Sequence, residues 1–200
     1  MLLNRKVKSI GVDKWLFLKK FFRNPRDIGS IVPSSSSLTQ KMLEPVMWDE
    51  ISTIVELGAG TGVFTEAIHA SKHSDCKVAV FEKDDEMRNR LQGLYSEFDF
   101  CKNAVELKKS LSDLGINKAD VIISGLPFAN FSQSDRSQII SQIKEILHED
   151  GVFVTFQYSL QMKKMLQEEF AHMRIHLVPW NMPSAFVYVC RLKTTLVKNN

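Results

Sequence analysis

Apolar runs and amphipathic stretches alternate along most of the chain. Seven apolar runs predict buried strands at positions 51–57, 77–82, 98–101, 119–124, 151–158, 173–178 and 185–191. Helical periodicity separates them, at about 34–47, 63–71, 84–96, 105–111, 134–148 and 160–170. A serine run at 34–37 offers an N-cap to the first of these helices. Alternation of strands with helices predicts a parallel sheet that is covered by helices on both faces.

The last two predicted strands are joined by residues 179–183, a link that is too short for a crossover helix. This pair is therefore expected to be antiparallel. A parallel sheet that ends in such a hairpin is typical of S-adenosylmethionine-dependent methyltransferases. The predicted fold class is thus α/β and Rossmann-like, with a seven-stranded, mostly parallel sheet, an antiparallel last strand and the order 3-2-1-4-5-7-6.

A glycine loop follows the first strand, in the segment Glu56-Leu57-Gly58-Ala59-Gly60-Thr61-Gly62. Glycine permits positive φ and leaves no Cβ in the path of a ligand. A dinucleotide fingerprint would place its third glycine at position 63, which is Val63. The spacing and Glu56 favour a cationic ligand without a pyrophosphate, and S-adenosylmethionine is the predicted cofactor, contacted by Glu56, Gly58, Ala59, Gly60, Thr61 and Gly62.

Glu82 ends the second predicted strand, 20 residues beyond Gly62 and followed by Lys83. A carboxylate at this place can accept both ribose hydroxyls of a nucleoside. Asn103-Ala104 follows the third strand, where the amide oxygen can accept from the adenine amine or can simply form a surface turn. Glu82, Lys83, Asn103 and Ala104 complete the predicted cofactor set, together with Ser124 and Gly125 after the fourth strand.

Composition favours one domain with a distinct N-terminal arm. The 200 residues are 44% hydrophobic, enough for a core. Three cysteines lie far apart, so neither a disulfide framework nor a metal site is expected. The net charge of +3 divides into +6 over residues 1–27 and −3 over the remainder. The predicted organisation is a basic amphipathic arm at 1–33 and a catalytic domain at 34–200.

Residues 12–23 of the arm predict an amphipathic helix, with Trp15, Phe21 and Phe22 on one side and lysines opposite. Such a helix suits the interface of an anionic phospholipid membrane. Two alternatives remain open: the aromatic side covers the cofactor site as a lid, or the basic side binds RNA. No apolar run reaches the ~20 residues of a membrane span, and no signal peptide is evident. The predicted location is cytoplasmic and peripheral at the inner membrane surface.

The fourth strand ends in Ser124-Gly125-Leu126-Pro127-Phe128. This loop superficially resembles the Asn-Leu-Pro-Tyr loop of rRNA adenine dimethylases, in which the Asn positions the adenine amine. Gly125 stands at the matching position and has no amide, which argues against an RNA substrate. The chain also has no room for the basic C-terminal domain of those enzymes.

A second resemblance covers nearly the whole chain. The sequence resembles bacterial phospholipid N-methyltransferases, which methylate phosphatidylethanolamine, in the segments 21–25, 28–35, 56–65, 124–128, 156–158 and 180–188. The Pro-Ser-Ser of 33–35, the Ser-Gly-Leu-Pro of 124–127 and the Asn-x-Pro of 181–183 are the more specific parts. Asn103, where Asp is common, and Gln157, where Thr is common, depart from the family pattern.

This resemblance implies a peripheral enzyme that methylates a phosphatidylethanolamine-type head group. Its amine must be aligned and neutral, and Tyr158 or Ser124 can orient it and accept a proton, directly or through water. Tyr158 can equally be a core aromatic. The predicted substrate-binding residues are Ser34, Ser35, Leu126, Pro127, Phe128, Tyr158 and Asn181. Alternatives are an rRNA adenine N6-methyltransferase, a small-molecule amine methyltransferase and a non-catalytic S-adenosylmethionine-binding regulator.

Overall fold

The computed structural model describes residues 33–181 and 183–192, with side chains from residue 36 onward. Its seven strands form one sheet in the order β3-β2-β1-β4-β5-β7-β6, which confirms the predicted order. The strands are β1 (Thr53–Leu57), β2 (Lys77–Phe81), β3 (Asp99–Cys101), β4 (Ala119–Ser124), β5 (Leu147–Gln157), β6 (His172–Val178) and β7 (Ala185–Arg191).

Helices connect the strands in the alternation that the periodicity predicts. The described α-helices are α1 (Pro33–Leu43), α2 (Val63–Ser71), α3 (Asp85–Leu94), α4 (Leu107–Asp113), α5 (Gln133–Ile146) and α6 (Lys163–Glu169). Short 3₁₀ turns lie at Ala104–Glu106, Phe128–Asn130 and Leu160–Met162. Local caps fix two helix starts. Asp84 accepts from two backbone N–H groups at the start of α3, and Ser132 accepts from Asp135 N–H in α5.

Strand direction brings several loops to one edge of the sheet. β1 to β5 are mutually parallel, and only β7 runs against its neighbours β5 and β6. The carboxyl ends of β1 to β6 therefore share an edge. β1 pairs with β2 on one side and with β4 on the other, so the chain reverses its direction of winding at β1. In open α/β sheets this point is where ligands bind.

The core is built on both faces of β1. Val55 and Leu57 belong to a buried cluster that includes Ile139, Ile143 and other residues of α5. Because side chains alternate across a strand, Glu56 faces the opposite side, where it meets Thr65 of α2. β1 thus places apolar side chains on one face of the sheet and the Glu56 carboxylate on the other face.

Several predicted boundaries are wrong by two to four residues, and two helix ends have a clear physical reason. The first helix ends at Leu43 instead of 47, because Pro45 disfavours helical geometry in the residue before it. Its serines lie inside the helix, and Pro33, with its preset φ, takes the first position. α5 ends at Ile146 instead of 148, because Leu147 is already extended and pairs with Ala119.

The predicted arm at 1–33, with its amphipathic stretch 12–23, lies outside the described residues except for Pro33. Within the described part of the chain, every helix is too short or too polar to cross a bilayer.

Candidate active site

The glycine loop begins at the carboxyl end of β1 and contains three residues with left-handed backbone conformation. Gly58, Gly60 and Gly62 have φ angles of 78°, 56° and 91°, which residues with a Cβ adopt at a cost. The loop is anchored to β2, because Gly58 N–H donates to Phe81 O at 2.7 Å and Ala59 N–H to the same oxygen at 3.2 Å. Gly62 then serves as the N-cap residue of α2. Thr61 lies half-buried between the last two glycines.

The loops after β1 and β4 contact each other through the backbone of two glycines. A Cβ on Gly125 would lie 2.8 Å from Gly58 O, and a Cβ on Gly58 would lie 3.3 Å from Leu126 N. Glycine is therefore needed at position 125 to leave room for Gly58 O. Its backbone conformation does not require glycine, since its φ is not positive. The consequence is that position 125 cannot carry an asparagine side chain without moving the glycine loop.

Glu82 connects the loops after β1 and β2. One carboxylate oxygen accepts from Gly60 N–H at 2.7 Å and the other from Asp84 N–H at 2.9 Å. The carboxylate is partly exposed and directly beside the glycine loop, and each oxygen keeps a second lone pair. Lys83 next to it is exposed.

Glu56 is the buried carboxylate of the site. Its side chain is 0% exposed; Thr65 Oγ1 donates to its Oε2 at 2.7 Å, and its Oε1 has no hydrogen-bond partner among the described residues. Burial raises the pKa of Glu56 to about 7, with a further increase from the nearby charge of Glu82 and an opposing decrease from the Thr65 hydrogen bond. A cation bound here would pair with the ionised form.

Asn103 and Ala104 form the start of a 3₁₀ turn after β3. The Asn103 side-chain oxygen accepts from Val105 N–H at 3.0 Å and caps the turn. Both residues lie at the same sheet edge as Glu82, since Glu82 N–H donates to Cys101 O. The structure therefore shows the surface-turn geometry for Asn103, with its oxygen already engaged.

A second group of residues lies on the β5 side of the switch point. Tyr158 follows β5 and is partly buried, and the side chain of Asn181, from the turn between β6 and β7, lies near enough to its hydroxyl to lower its pKa. Burial raises the pKa of Tyr158, against the opposing effect of Asn181, so the phenol is neutral near pH 7. The Asn181 amide also donates to Pro183 O at 2.8 Å. Two of the predicted substrate-binding residues are thus brought together.

The other predicted substrate residues have different surroundings. Ser124 is fully buried, and its Oγ accepts from Leu126 N–H at 3.2 Å within its own turn. Leu126 is buried and Pro127 is exposed, while Phe128 belongs to the buried core cluster. Ser34 and Ser35 lie in the first turn of α1, and their side chains are outside the described residues.

Gln157 is a residue that the sequence pattern did not single out for this site. It is 4% exposed, and its amide donates to Leu126 O at 3.0 Å, which joins the end of β5 to the loop after β4. A polar residue at the end of a long buried strand was the available signal. Phe156 extends the contact, since its ring meets Tyr158 edge-on at 5.6 Å and Phe64 of α2 at 6.0 Å.

These residues divide into two groups, named here for use below. The cofactor half comprises the loops after β1 and β2, at residues 58–62 and 82–84, with Glu56 beneath them. The acceptor half comprises the loops after β4 and β5 and the turn between β6 and β7, at residues 125–128, 158–162 and 179–184. The two halves meet at the contact of Gly58 with Gly125.

Residues 55–155 match the methyltransferase domain family, and this range contains the whole cofactor half. The chain is also 32% identical over 187 residues to an ornithine lipid N-methyltransferase of Singulisphaera acidiphila, covering 90% of this chain and 96% of the relative. The chain belongs to the class I, S-adenosylmethionine-dependent methyltransferase family. The second match confirms the predicted kinship with bacterial lipid N-methyltransferases.

Solved structures show that the fold of this methyltransferase is shared widely. The 1,6-didemethyltoxoflavin-N1-methyltransferase of Burkholderia thailandensis superposes with a TM-score of 0.65 at 14% identity, covering 96% of this chain and 92% of that one. The ribosomal protein L11 methylase of Lactobacillus delbrueckii subsp. bulgaricus gives 0.59 at 18% identity, covering 80% and 79%. The predicted Rossmann-like fold is confirmed.

The residues present fit S-adenosylmethionine. The loop after β1 has no side chain at three positions, a carboxylate stands beside it with free lone pairs, and a buried carboxylate oxygen below it lacks a partner. These features suit a nucleoside that carries hydroxyls and a positive charge. Among the described residues there is no group of three metal-ligating side chains.

Proposed function

We propose that this methyltransferase N-methylates the amine of a membrane lipid head group, of the phosphatidylethanolamine or ornithine lipid type. The observation that carries the proposal is the similarity to an ornithine lipid N-methyltransferase across nearly the full length of both chains. The resemblance of the sequence to phospholipid N-methyltransferases supports the same class of acceptor. Both lipid types offer a primary amine next to an apolar body.

The cofactor half is proposed to hold S-adenosylmethionine, which supplies an electrophilic methyl group when bound. The Glu82 oxygens accept ribose hydroxyls, and the bare loop at Gly58, Gly60 and Gly62 admits the ligand to the backbone. Ionised Glu56 provides a negative charge beneath the loop. Ala59, Thr61, Lys83, Asn103, Ala104, Ser124 and Gly125 are proposed to line the same site.

The acceptor half is proposed to align the lipid amine. An amine of pKa ~10 is protonated at neutral pH, so it must lose a proton before its lone pair can attack. Neutral Tyr158 offers its hydroxyl oxygen as an acceptor for an N–H of the amine, and the Asn181 amide, held by Pro183 O, lies near that hydroxyl. With its raised pKa, Tyr158 orients the amine while water takes the proton.

The loop after β4 supports a lipid amine over an adenine. Gly125 stands where rRNA adenine dimethylases carry an asparagine, and the backbone of Gly58 leaves no room for a side chain there. Ser124 shapes this loop by accepting from Leu126 N–H, and Gln157 braces it from β5. We propose that Leu126 and Pro127 flank the acceptor, with Phe128 supporting them from the core and Ser34 and Ser35 contributing from α1.

We also propose that residues 1–33 form a membrane-binding arm through the amphipathic stretch 12–23. Its basic charge suits anionic lipid and a peripheral location at the inner membrane surface. Residues 34–200 are then the catalytic domain. RNA binding by the arm is the outcome that would contradict this assignment.

The test is transfer of a labelled methyl group from S-adenosylmethionine by the full chain. Acceptors are vesicles that contain phosphatidylethanolamine or ornithine lipid, matched phosphatidylcholine vesicles, total RNA and a panel of small amines. We expect label in the amine-bearing lipids only, and none with Glu82→Ala. Label confined to RNA or to small amines would overturn the lipid proposal. Cofactor binding without label in any fraction would show a non-catalytic protein.

A further inference from the structure

The turn between β6 and β7 presents a tryptophan to solvent from a braced backbone. Asn181 N–H donates to Val178 O, the Asn181 amide donates to Pro183 O, and Ser184 Oγ donates to Pro179 O. Within this frame Trp180 is 81% exposed. Exposing a large aromatic on an ordered turn has no folding benefit, which points to a partner.

This turn lies at the same sheet edge as the active site. Leu177 of β6 and Gln157 of β5 both pair with Phe186 of β7, so the three strands are in line there. β6 runs parallel to β5, so the turn that follows β6 lies at the same edge as Tyr158, which follows β5. Trp180 is thus the sequence neighbour of a residue that lies near the proposed acceptor-orienting hydroxyl.

Further exposed apolar residues accompany Trp180 at this edge. Leu177 is 54% exposed, and Leu160, which follows β5, is 46% exposed. Segments 158–165 and 177–184 together contain Lys163 and Lys164 and no acidic residue, and Lys164 forms an exposed ion pair with Glu168 of α6 at 3.9 Å. The loop after β2 differs sharply, because residues 82–86 hold four carboxylates and one lysine. Of these two described parts of the site, the acceptor half is the one whose apolar and basic side chains suit an anionic membrane surface.

We propose that Trp180, Leu177 and Leu160 dock the catalytic domain on an anionic phospholipid bilayer, with Lys163 and Lys164 facing the lipid phosphates. The inference rests on the proposed lipid acceptor, and it specifies which side of the catalytic domain faces the membrane. Tryptophan favours the level of the head groups, because its apolar ring can contact the lipid while its N–H is hydrated. Docking here brings lipid amines to Tyr158 without lifting the lipid out of the bilayer.

Tryptophan fluorescence can locate this contact. A chain with Trp15→Phe and Trp48→Phe keeps only Trp180, and a chain with Trp15→Phe and Trp180→Phe keeps only Trp48, which is partly buried between α1 and α2. Each is mixed with vesicles of phosphatidylglycerol and phosphatidylethanolamine that carry brominated acyl chains. We expect blue-shifted and quenched emission from Trp180 and unchanged emission from Trp48. Unquenched Trp180 would overturn the proposal, even if the chain binds vesicles by another surface.

A partition measurement tests the same surface by another route. In the full chain, Trp180→Ser with Leu177→Ser is expected to weaken binding to the phosphatidylglycerol vesicles at least tenfold, with cofactor affinity unchanged. The matched control is Leu94→Ser, because Leu94 is 61% exposed at the end of α3, on the opposite edge of the sheet. Equal partition of the double variant and the control would overturn the proposal.

The two proposals fail in different ways. Quenching of Trp180 by brominated vesicles without methylation of any lipid would remove the proposed function and leave the docking surface. Methylation of bilayer lipid by the Trp180→Ser, Leu177→Ser variant at the unaltered rate would remove the docking surface and leave the function. Quenching of Trp180 by RNA in place of vesicles would overturn the bilayer as the partner.

Discussion

The cofactor half and the acceptor half of the site are built by different means. The cofactor half is built from glycine backbone and two carboxylates, and Glu82 accepts a hydrogen bond from a backbone N–H of the loop. In the acceptor half, the side-chain amides of Gln157 and Asn181 donate to backbone oxygens and hold the loop after β4 and the turn between β6 and β7 in place. Sequence motifs describe main-chain geometry well, whereas a side-chain contact such as that of Gln157 is made between distant segments.

The two halves also differ in charge, and the difference matches their proposed ligands. Glu56 and Glu82 give the cofactor half a negative potential that favours a cation. The acceptor half contains a neutral phenol and no carboxylate in its loops. A neutral environment there favours the neutral form of an amine, which is the form that can react. The following predictions test this division, beginning with the largest expected effect.

Glu82→Ala should weaken S-adenosylmethionine binding roughly 100-fold or more, because hydrogen bonds to a charged group contribute about 1.5–3 kcal/mol each. Calorimetric titration measures the affinity. Glu86→Ala is the control, since Glu86 is an exposed carboxylate in the first turn of α3. If the two variants bind equally and remain folded, Glu82 is not part of the cofactor half.

Glu56 should make stability fall as pH rises. Its folded pKa of about 7 lies above the ordinary 4.5, so the folded state holds the proton more tightly than the unfolded chain. The resulting stabilisation is complete below about pH 4.5 and is lost as pH rises through 7. Its size is on the order of 3 kcal/mol.

Urea unfolding at pH 5 and pH 8 measures this effect in the chain without cofactor. Glu56→Gln, which keeps an acceptor for Thr65, should be less sensitive to pH than the unaltered chain and more stable at pH 8. The same slope in both chains would show that Glu56 is ionised when buried.

Gly125→Ala should lower the free energy of unfolding by about 2 kcal/mol, because its Cβ would press on Gly58 O at the meeting point of the two halves. Gly93→Ala is the matched control. Gly93 lies in α3 with nothing within 4 Å of its Cβ, so alanine there should stabilise by about 0.5–1 kcal/mol. Thermal unfolding of both variants compares them. A loss no larger at Gly125 than at Gly93 would mean that the loops are not in close contact.

Tyr158→Phe should lower kcat about tenfold, since one hydrogen bond that orients the acceptor is worth about 1–1.5 kcal/mol. Cofactor affinity should not change, because Tyr158 lies in the acceptor half. Tyr95→Phe controls for loss of a hydroxyl, as Tyr95 stacks on Phe98 between α3 and β3, outside the acceptor half. An equal fall in kcat for both variants would assign Tyr158 a structural role only.

Most of the fold and one half of the site were predictable from local pattern. The parallel sheet follows from the alternation, the antiparallel last pair from the short link at 179–183, and Glu82 from its spacing to the glycine loop. The strand order comes from the resemblance to the methyltransferase fold. Helix ends were less predictable. Leu147 fits a helical stripe equally well as a strand, and only its pairing with Ala119 decides between them.

The sequence alone determined the strands, the helices and the glycine loop, because these depend on period, backbone geometry and spacing within one β-α unit. Its resemblance to known methyltransferases indicated the family and the strand order. Only the tertiary structure decided that Gly125 is bare because Gly58 lies against it, that Asn181 lies near Tyr158, and that Trp180 faces solvent. Each of these joins or separates residues that lie far apart in the chain. Such contacts depend on how the strands are placed side by side, which no local pattern records.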